Sequence, residues 1–128
     1  MPTERLALRW PSWVLAVALL AFLMGAMIPG SLRSAIEYRL HLPFAISPVA
    51  HFVLSAGMAT GLRALHPRWP VILVLAVVIG IGCLAEVVQA WIPGRDASFV
   101  DLAADLGGAV LGLCVVALAM RLCNIIRP

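Results

Sequence analysis

Long apolar runs, broken by proline, glycine and arginine, organise this chain. The first extends from about Trp10 to Ile28 and stops at Pro29-Gly30. The second runs from about Pro48 to Leu65, the third from Pro70 to Ile92, and the fourth from Phe99 to Leu122. Each approaches the roughly 20 residues that carry a helix across about 30 Å of hydrocarbon. No period-two alternation competes, and the turns are too few for a barrel. The pattern predicts an all-α fold: an integral membrane bundle of four transmembrane helices forming one domain over residues 1–128.

Local signals sharpen the boundaries. Ser47-Pro48 reads as a side-chain cap followed by a proline at the first helical position, and Pro70 opens the third run in the same way. Pro93-Gly94 closes that run. Between the first two spans, Leu32, Ile36 and Leu40 recur every four residues, and Arg33 with Glu37 makes an i,i+4 pair. Residues 31–40 are therefore expected to form a short interfacial helix. Trp10, Trp13, Trp69 and Trp91 fall at span ends, where indoles prefer the membrane–water boundary. Arg5 and Arg9 before an apolar run imitate a signal peptide. Pro29 near any cut, and the lack of an A-x-A site, argue against cleavage.

Composition agrees with a membrane class. The chain is 63% hydrophobic and 12% charged, with a mean hydropathy of +1.06. Soluble domains average about 45–50% apolar and about 25% charged residues. A formal charge of +3, carried by nine arginines and no lysine, is scattered over loops and helix ends. It is no nucleic-acid footprint. Three cysteines, Cys83, Cys114 and Cys123, cannot close a disulfide framework and read as small packing residues. Arg5, Arg9, Arg63, Arg68, Arg121 and Arg127 on one side oppose Arg33, Arg39 and Arg95 on the other. The positive-inside rule then puts both termini in the cytoplasm.

Against this background the polar residues inside the spans need a reason, because a charge near mid-bilayer costs about 2.5–3.5 kcal/mol on insertion scales. Glu86 and Gln89 share a face of the third span. Asp101 and Asp105 share one of the fourth, continued by Gly108 and Gly112. His51 and Ser55 share one of the second. At a rise of about 1.5 Å per residue, His51 lies roughly 5 Å below its helix start, Glu86 roughly 9 Å before its helix end, and Asp105 roughly 9 Å beyond its start. Three separate segments thus bring ionisable groups to similar depth in the outer leaflet, with Arg95 on the loop above able to reach them. Plainer roles compete. Ser98-x-x-Asp101 has the form of a capping box, and His51, Glu86 and Asp105 could clamp helices together. Ala21-x-x-x-Gly25 and Gly108-x-x-x-Gly112 read as close-packing stripes.

The run Glu86-Val-Val-Gln89-Ala-Trp-Ile-Pro93-Gly-Arg95-Asp-Ala-Ser98-Phe-Val-Asp101-Leu-Ala-Ala-Asp105-Leu-Gly-Gly108 resembles the VanZ-like family. That pattern proceeds from E-x-x-Q through P-x-R, S and D to N and G. His51 matches a histidine which that family carries at the head of its second span. The resemblance covers about residues 48–112. It implies a four-helix bacterial inner-membrane protein, and the founding member is associated with low-level tolerance of the glycopeptide teicoplanin. Two positions depart from the family: Asp105 stands where Asn is usual, and Ser47-Pro48-Val49-Ala50 replaces the basic residue often found before the histidine.

The leading expectation is a ligand site made by His51, Glu86, Gln89, Arg95, Asp101 and Asp105. Its partner would be a membrane lipid headgroup or cell-envelope precursor. Arg95 would supply a planar fork for phosphate or carboxylate, while Glu86, Gln89, His51 and Asp105 would hold the arginine and recognise hydroxyls or amines. An envelope hydrolase or transferase using His51 with Glu86 or Asp105 ranks second, since neither H-E-x-x-H nor a nucleophile elbow is present. A proton-coupled carrier ranks third, and four helices would need a homo-oligomer to make its pathway. No cofactor and no metal are assigned. His51, Glu86 and Asp105 are suitable ligand types, but they come from separate helices without diagnostic spacing.

Overall fold

Proline and glycine punctuate the chain where the sequence places them. The computed structural model describes residues 9–126, which form five helices and, among the described residues, no strand. They are α1 (Arg9–Ala26), α2 (Gly30–Arg39), α3 (Ile46–Leu65), α4 (Val71–Gln89) and α5 (Phe99–Ile126). Arg5 and Arg127, which enter the arginine bias, lie outside the described residues. The short helix expected at 31–40 is α2, turned by 105° from α1.

Helix α3 is the centre of the bundle, packing most extensively against α5 and next against α1. Its buried stripe changes chemistry halfway. Ser47, His51 and Ser55 occupy the first half, and Met58, Ala59 and Leu62 the second. The apolar half joins Ala18, Phe22, Val74, Val78 and Ala109 in one core. Small residues on α5 allow the close approach. A Cβ at Gly108 would strike the Phe52 carbonyl, and one at Gly112 the Ala56 carbonyl. Gly25 behaves differently, with nothing near its missing side chain, so Ala21-x-x-x-Gly25 is not a packing stripe.

At the polar end, α2 is tied across the bundle. The Gly30 amide donates to the Pro93 carbonyl at 3.2 Å, and Gly94 holds a left-handed φ of +73°. The two glycine backbones meet so closely that a Cβ on Gly30 would hit the Gly94 carbonyl. Glu37 of α2 accepts a hydrogen bond from the Ile46 amide at 2.8 Å. This supplies the cap of α3 from another helix. The expected Ser47 cap is therefore replaced: α3 begins at Ile46, and Ser47 is free to turn inward.

The outer surface is apolar and the interior is partly ionic. Leu20, Met24, Ile72, Leu84 and Phe99 are exposed, whereas His51, Glu86, Gln89, Arg95, Asp101 and Asp105 are buried. Such an inversion fits an apolar surrounding. Helices α4 and α5 are each long and apolar enough to cross a membrane, with mean hydropathy 2.9 and 2.1. Helix α1 qualifies only together with α2, as a bent pair. Helix α3 does not qualify by composition, because its polar stripe and Arg63 dilute it. Two helices thus qualify alone, and three if the bent α1–α2 pair is one span, where four were expected. Cys83, Cys114 and Cys123 are exposed on this apolar surface and are not packed inside.

Candidate functional site

The site grows from the polar stripe of α3. Residues 47, 51 and 55 are one helical turn apart and meet α5, where Asp101 and Asp105 repeat at the same interval. Ser47 Oγ donates to Asp101 Oδ2 at 2.7 Å, and Ser55 Oγ donates to Asp105 Oδ1 at 2.6 Å. Between them, His51 Nδ1 lies 3.0 Å from Asp105 Oδ2. Asp105 has room because Gly82 of α4 faces it; a Cβ there would collide with the carboxylate. Phe22, from α1, makes a T-shaped contact with the His51 ring, with centroids 4.9 Å apart.

The Asp105 contact fixes the imidazole. With Nδ1 donating to a carboxylate, Nε2 carries the lone pair in the neutral ring. That Nε2 points between Glu86 Oε1 at 3.8 Å and Asp101 Oδ2 at 3.9 Å. Four of the six expected site residues therefore converge, from α3, α4 and α5. Three buried carboxylates surround one buried imidazole.

Glu86 also anchors the start of α5. Its Oε2 accepts a hydrogen bond from the Ser98 amide, while Ser98 Oγ accepts one from the Asp101 amide at 3.3 Å. Half of the expected capping box is present. Its reciprocal half comes from Glu86 across the helix interface instead of from Asp101, whose carboxylate is thereby left to Ser47 and His51. Glu86 Oε1 has no hydrogen-bond partner.

Arg95 and Gln89 stand apart from this cluster. Arg95 is only 8% exposed, and its one side-chain hydrogen bond among the described residues runs 3.5 Å from Nη2 to the Gly25 carbonyl. Among the described residues it forms no ion pair with Glu86 or Asp105 and no hydrogen bond with Gln89 or His51, so the expectation that these four hold it directly is corrected. The α4–α5 loop turns it toward α1 and α2. Burial, and after it the like charge of Arg33, pull the Arg95 pKa below the ordinary arginine value, against the longer-range attraction of Asp101, Glu86 and Glu37. Gln89 is 1% exposed, with Nε2 unpartnered, and makes no side-chain hydrogen bond to the cluster.

Arg95, Arg33, Ser47 and His51 border a cavity of about 160 Å³ whose other walls, including Phe22, Ile28, Ile36 and Leu54, are apolar. No family model, curated protein or solved structure matches the chain. The cavity and cluster must be read from their own chemistry. Sequence reasoning misses Ser47, which reads as a cap, and Arg33, which reads only as a partner of Glu37. The four-residue spacing of Ser47, His51 and Ser55 is the available signal for the first. For Arg33, whose place depends on the bend between α1 and α2, there is none.

Proposed function

We propose that this chain is a VanZ-like protein of the bacterial inner membrane, with four spans and both termini cytoplasmic. Its cavity beneath α2 would bind the anionic headgroup of a lipid or lipid-linked cell-envelope precursor in the outer leaflet. One observation carries the reading: Arg95 is buried, forms no ion pair with a carboxylate among the described residues, and is turned with Arg33 onto a cavity whose walls, Ser47 and His51 apart, are apolar. Leaving a guanidinium desolvated without an anion is costly. A phosphate would satisfy both arginines, Arg95 presenting a planar fork, and the apolar walls suit the adjoining chain. Altered handling of such a precursor is the route by which a tie to glycopeptide tolerance would arise. Four spans follow if α3 crosses with its polar stripe turned inward, away from lipid.

Native mass spectrometry of the protein in mixed nanodiscs tests this reading. Phosphatidylglycerol or undecaprenyl phosphate should be retained over phosphatidylcholine. The Arg95→Ala and Arg33→Ala variants should lose that preference, and Arg95→Lys should keep only part of it. Equal retention of anionic and zwitterionic lipids by the wild-type protein would overturn it.

A second reading is favoured by the His51–Asp105 contact. A histidine oriented by a carboxylate and bordering a phosphate-sized cavity has the parts of an acid–base catalyst. It would make the protein an envelope hydrolase or transferase acting on the bound headgroup. Turnover of a lipid-linked phosphoester by wild type but not by His51→Gln is its test.

A further inference from the structure

Charge balance around His51 points past a helix clamp. Glu86, Asp101 and Asp105 bring three carboxylates into a buried space that holds one imidazole and no arginine ion pair. With all three carboxylates ionised, the cluster would carry surplus negative charge in an apolar surrounding even with His51 protonated, which is strongly disfavoured unless a proton or a cation balances it. The polar contacts do not resolve this, because they are spent on other atoms. Asp105 is satisfied by Ser55 and His51 Nδ1, Asp101 Oδ2 by Ser47, and Glu86 Oε2 by the Ser98 amide. What remains is His51 Nε2, together with Glu86 Oε1, which is buried and unpartnered. The two face one another at 3.8 Å, too far for a hydrogen bond.

We infer that His51 Nε2, Glu86 Oε1 and an Asp101 carboxylate oxygen form a binding site for a divalent transition-metal cation, Zn²⁺ or Mn²⁺. The three donor atoms lie within 4.8 Å of one another. Around an ion with bonds of about 2.1 Å, donor atoms are separated by about 3.0 Å at right angles and by no more than about 4.2 Å. The His51 distances of 3.8 and 3.9 Å already fall in that range. The widest separation closes with a shift of less than about one ångström.

The surroundings have the features of a metal centre. A ligating histidine commonly donates its other ring N–H to a carboxylate, which fixes the tautomer and orients the lone pair. Asp105 does this at 3.0 Å. Ser47 and the Ser98 amide orient the two carboxylate ligands in the same way. One nitrogen and two oxygens suit Zn²⁺ or Mn²⁺ better than a soft ion. Three protein ligands leave coordination positions open, and cavities adjoin on both sides. His51 borders the one shared with Arg95, and Glu86 borders another of about 150 Å³ between α4 and α5. Arg95 is no part of the donor set, so the metal site stands independently of the headgroup site.

Metal titration of the purified protein decides it. The full chain, carrying an affinity tag free of histidine, is stripped with chelator in detergent. It is then titrated with Mn²⁺, followed by paramagnetic resonance, and with Zn²⁺, followed by calorimetry. Wild type should take up one equivalent and melt at higher temperature with metal than without. Glu86→Gln and Asp101→Asn should abolish stoichiometric uptake, and Asp105→Asn should weaken it by roughly 10- to 100-fold as a positioning residue. Asp96→Asn, on the exposed loop, should bind as wild type does. Arg95→Ala should lose anionic lipid yet keep the metal, which separates the two readings. Less than one equivalent on wild type, or undiminished uptake by both Glu86→Gln and Asp101→Asn, would overturn the site.

Discussion

Glu86 accepts the Ser98 amide with one carboxylate oxygen while the other faces His51 at 3.8 Å. One side chain of α4 thus caps α5 and borders the buried cluster. A helix N-terminus leaves amides without intrahelical partners, and a carboxylate there satisfies a donor and complements the helix dipole. Glu86→Ala should therefore lower the detergent melting temperature by an amount equivalent to about 1–3 kcal/mol. Glu86→Gln keeps an acceptor oxygen and should lose clearly less. Equal losses in the two variants would contradict the shared role.

Glycines two residues apart on α4 should respond in opposite directions. A Cβ on Gly80 would meet nothing within 4 Å, whereas one on Gly82 would meet the Asp105 carboxylate. Gly80→Ala should be neutral or stabilise by about 0.5–1 kcal/mol, from reduced backbone freedom. Gly82→Ala should destabilise by about 1–3 kcal/mol, as overpacking does. Thermal unfolding of both variants, followed by circular dichroism, reads the difference directly.

The α3–α5 contact should be the least tolerant surface of the fold. Gly108→Ala and Gly112→Ala each place a carbon against a backbone carbonyl of α3, which cannot swing aside as a side chain can. Both should reduce folded protein recovered from membranes, Gly108→Ala by disturbing Phe52, next to His51. Wild-type melting in either variant would mean that the helices stand further apart than described.

Ser55→Ala should weaken the cluster without touching its open donors. It removes the 2.6 Å hydrogen bond to Asp105 Oδ1, a bond to a charged acceptor worth about 1.5–3 kcal/mol. A corresponding drop in melting temperature is expected, and Ser55→Thr should recover part of it.

Topology is testable by thiol labelling after Cys83, Cys114 and Cys123 are replaced. In the proposed orientation, which rests on the six-to-three arginine bias, the α3–α4 turn would lie in the cytoplasm and the α4–α5 loop outside. An impermeant reagent on intact cells should label Asp96→Cys and spare His66→Cys. The reverse pattern would invert the protein and move the Arg95 cavity to the inner leaflet.

The sequence by itself determined the helical elements, because their signals are local. Apolar runs, Pro29-Gly30, Pro70 and Pro93-Gly94 mark the ends of α1, α4 and their loops within a few residues. The spacing of Leu32, Ile36 and Leu40 marks α2. It also brought out His51, Glu86, Asp101 and Asp105 as residues needing a reason, since ionisable groups in apolar helices are costly wherever the helices pack. Which atoms meet was decided by tertiary structure alone. Capping signals in sequence assume that a helix caps itself, but Glu37 caps α3 and Glu86 completes the cap of α5 from other helices. That exchange frees Ser47 and Asp101 to turn inward. The direction of Arg95 was likewise beyond the sequence, because a loop arginine can reach any neighbour within its length. Its turn toward Gly25 and Arg33, away from the carboxylates, depends on the bend between α1 and α2 and on the close meeting of Gly30 with Gly94. Helix packing, which no local pattern encodes, separated one charged cluster into a carboxylate–histidine centre and an arginine-lined cavity.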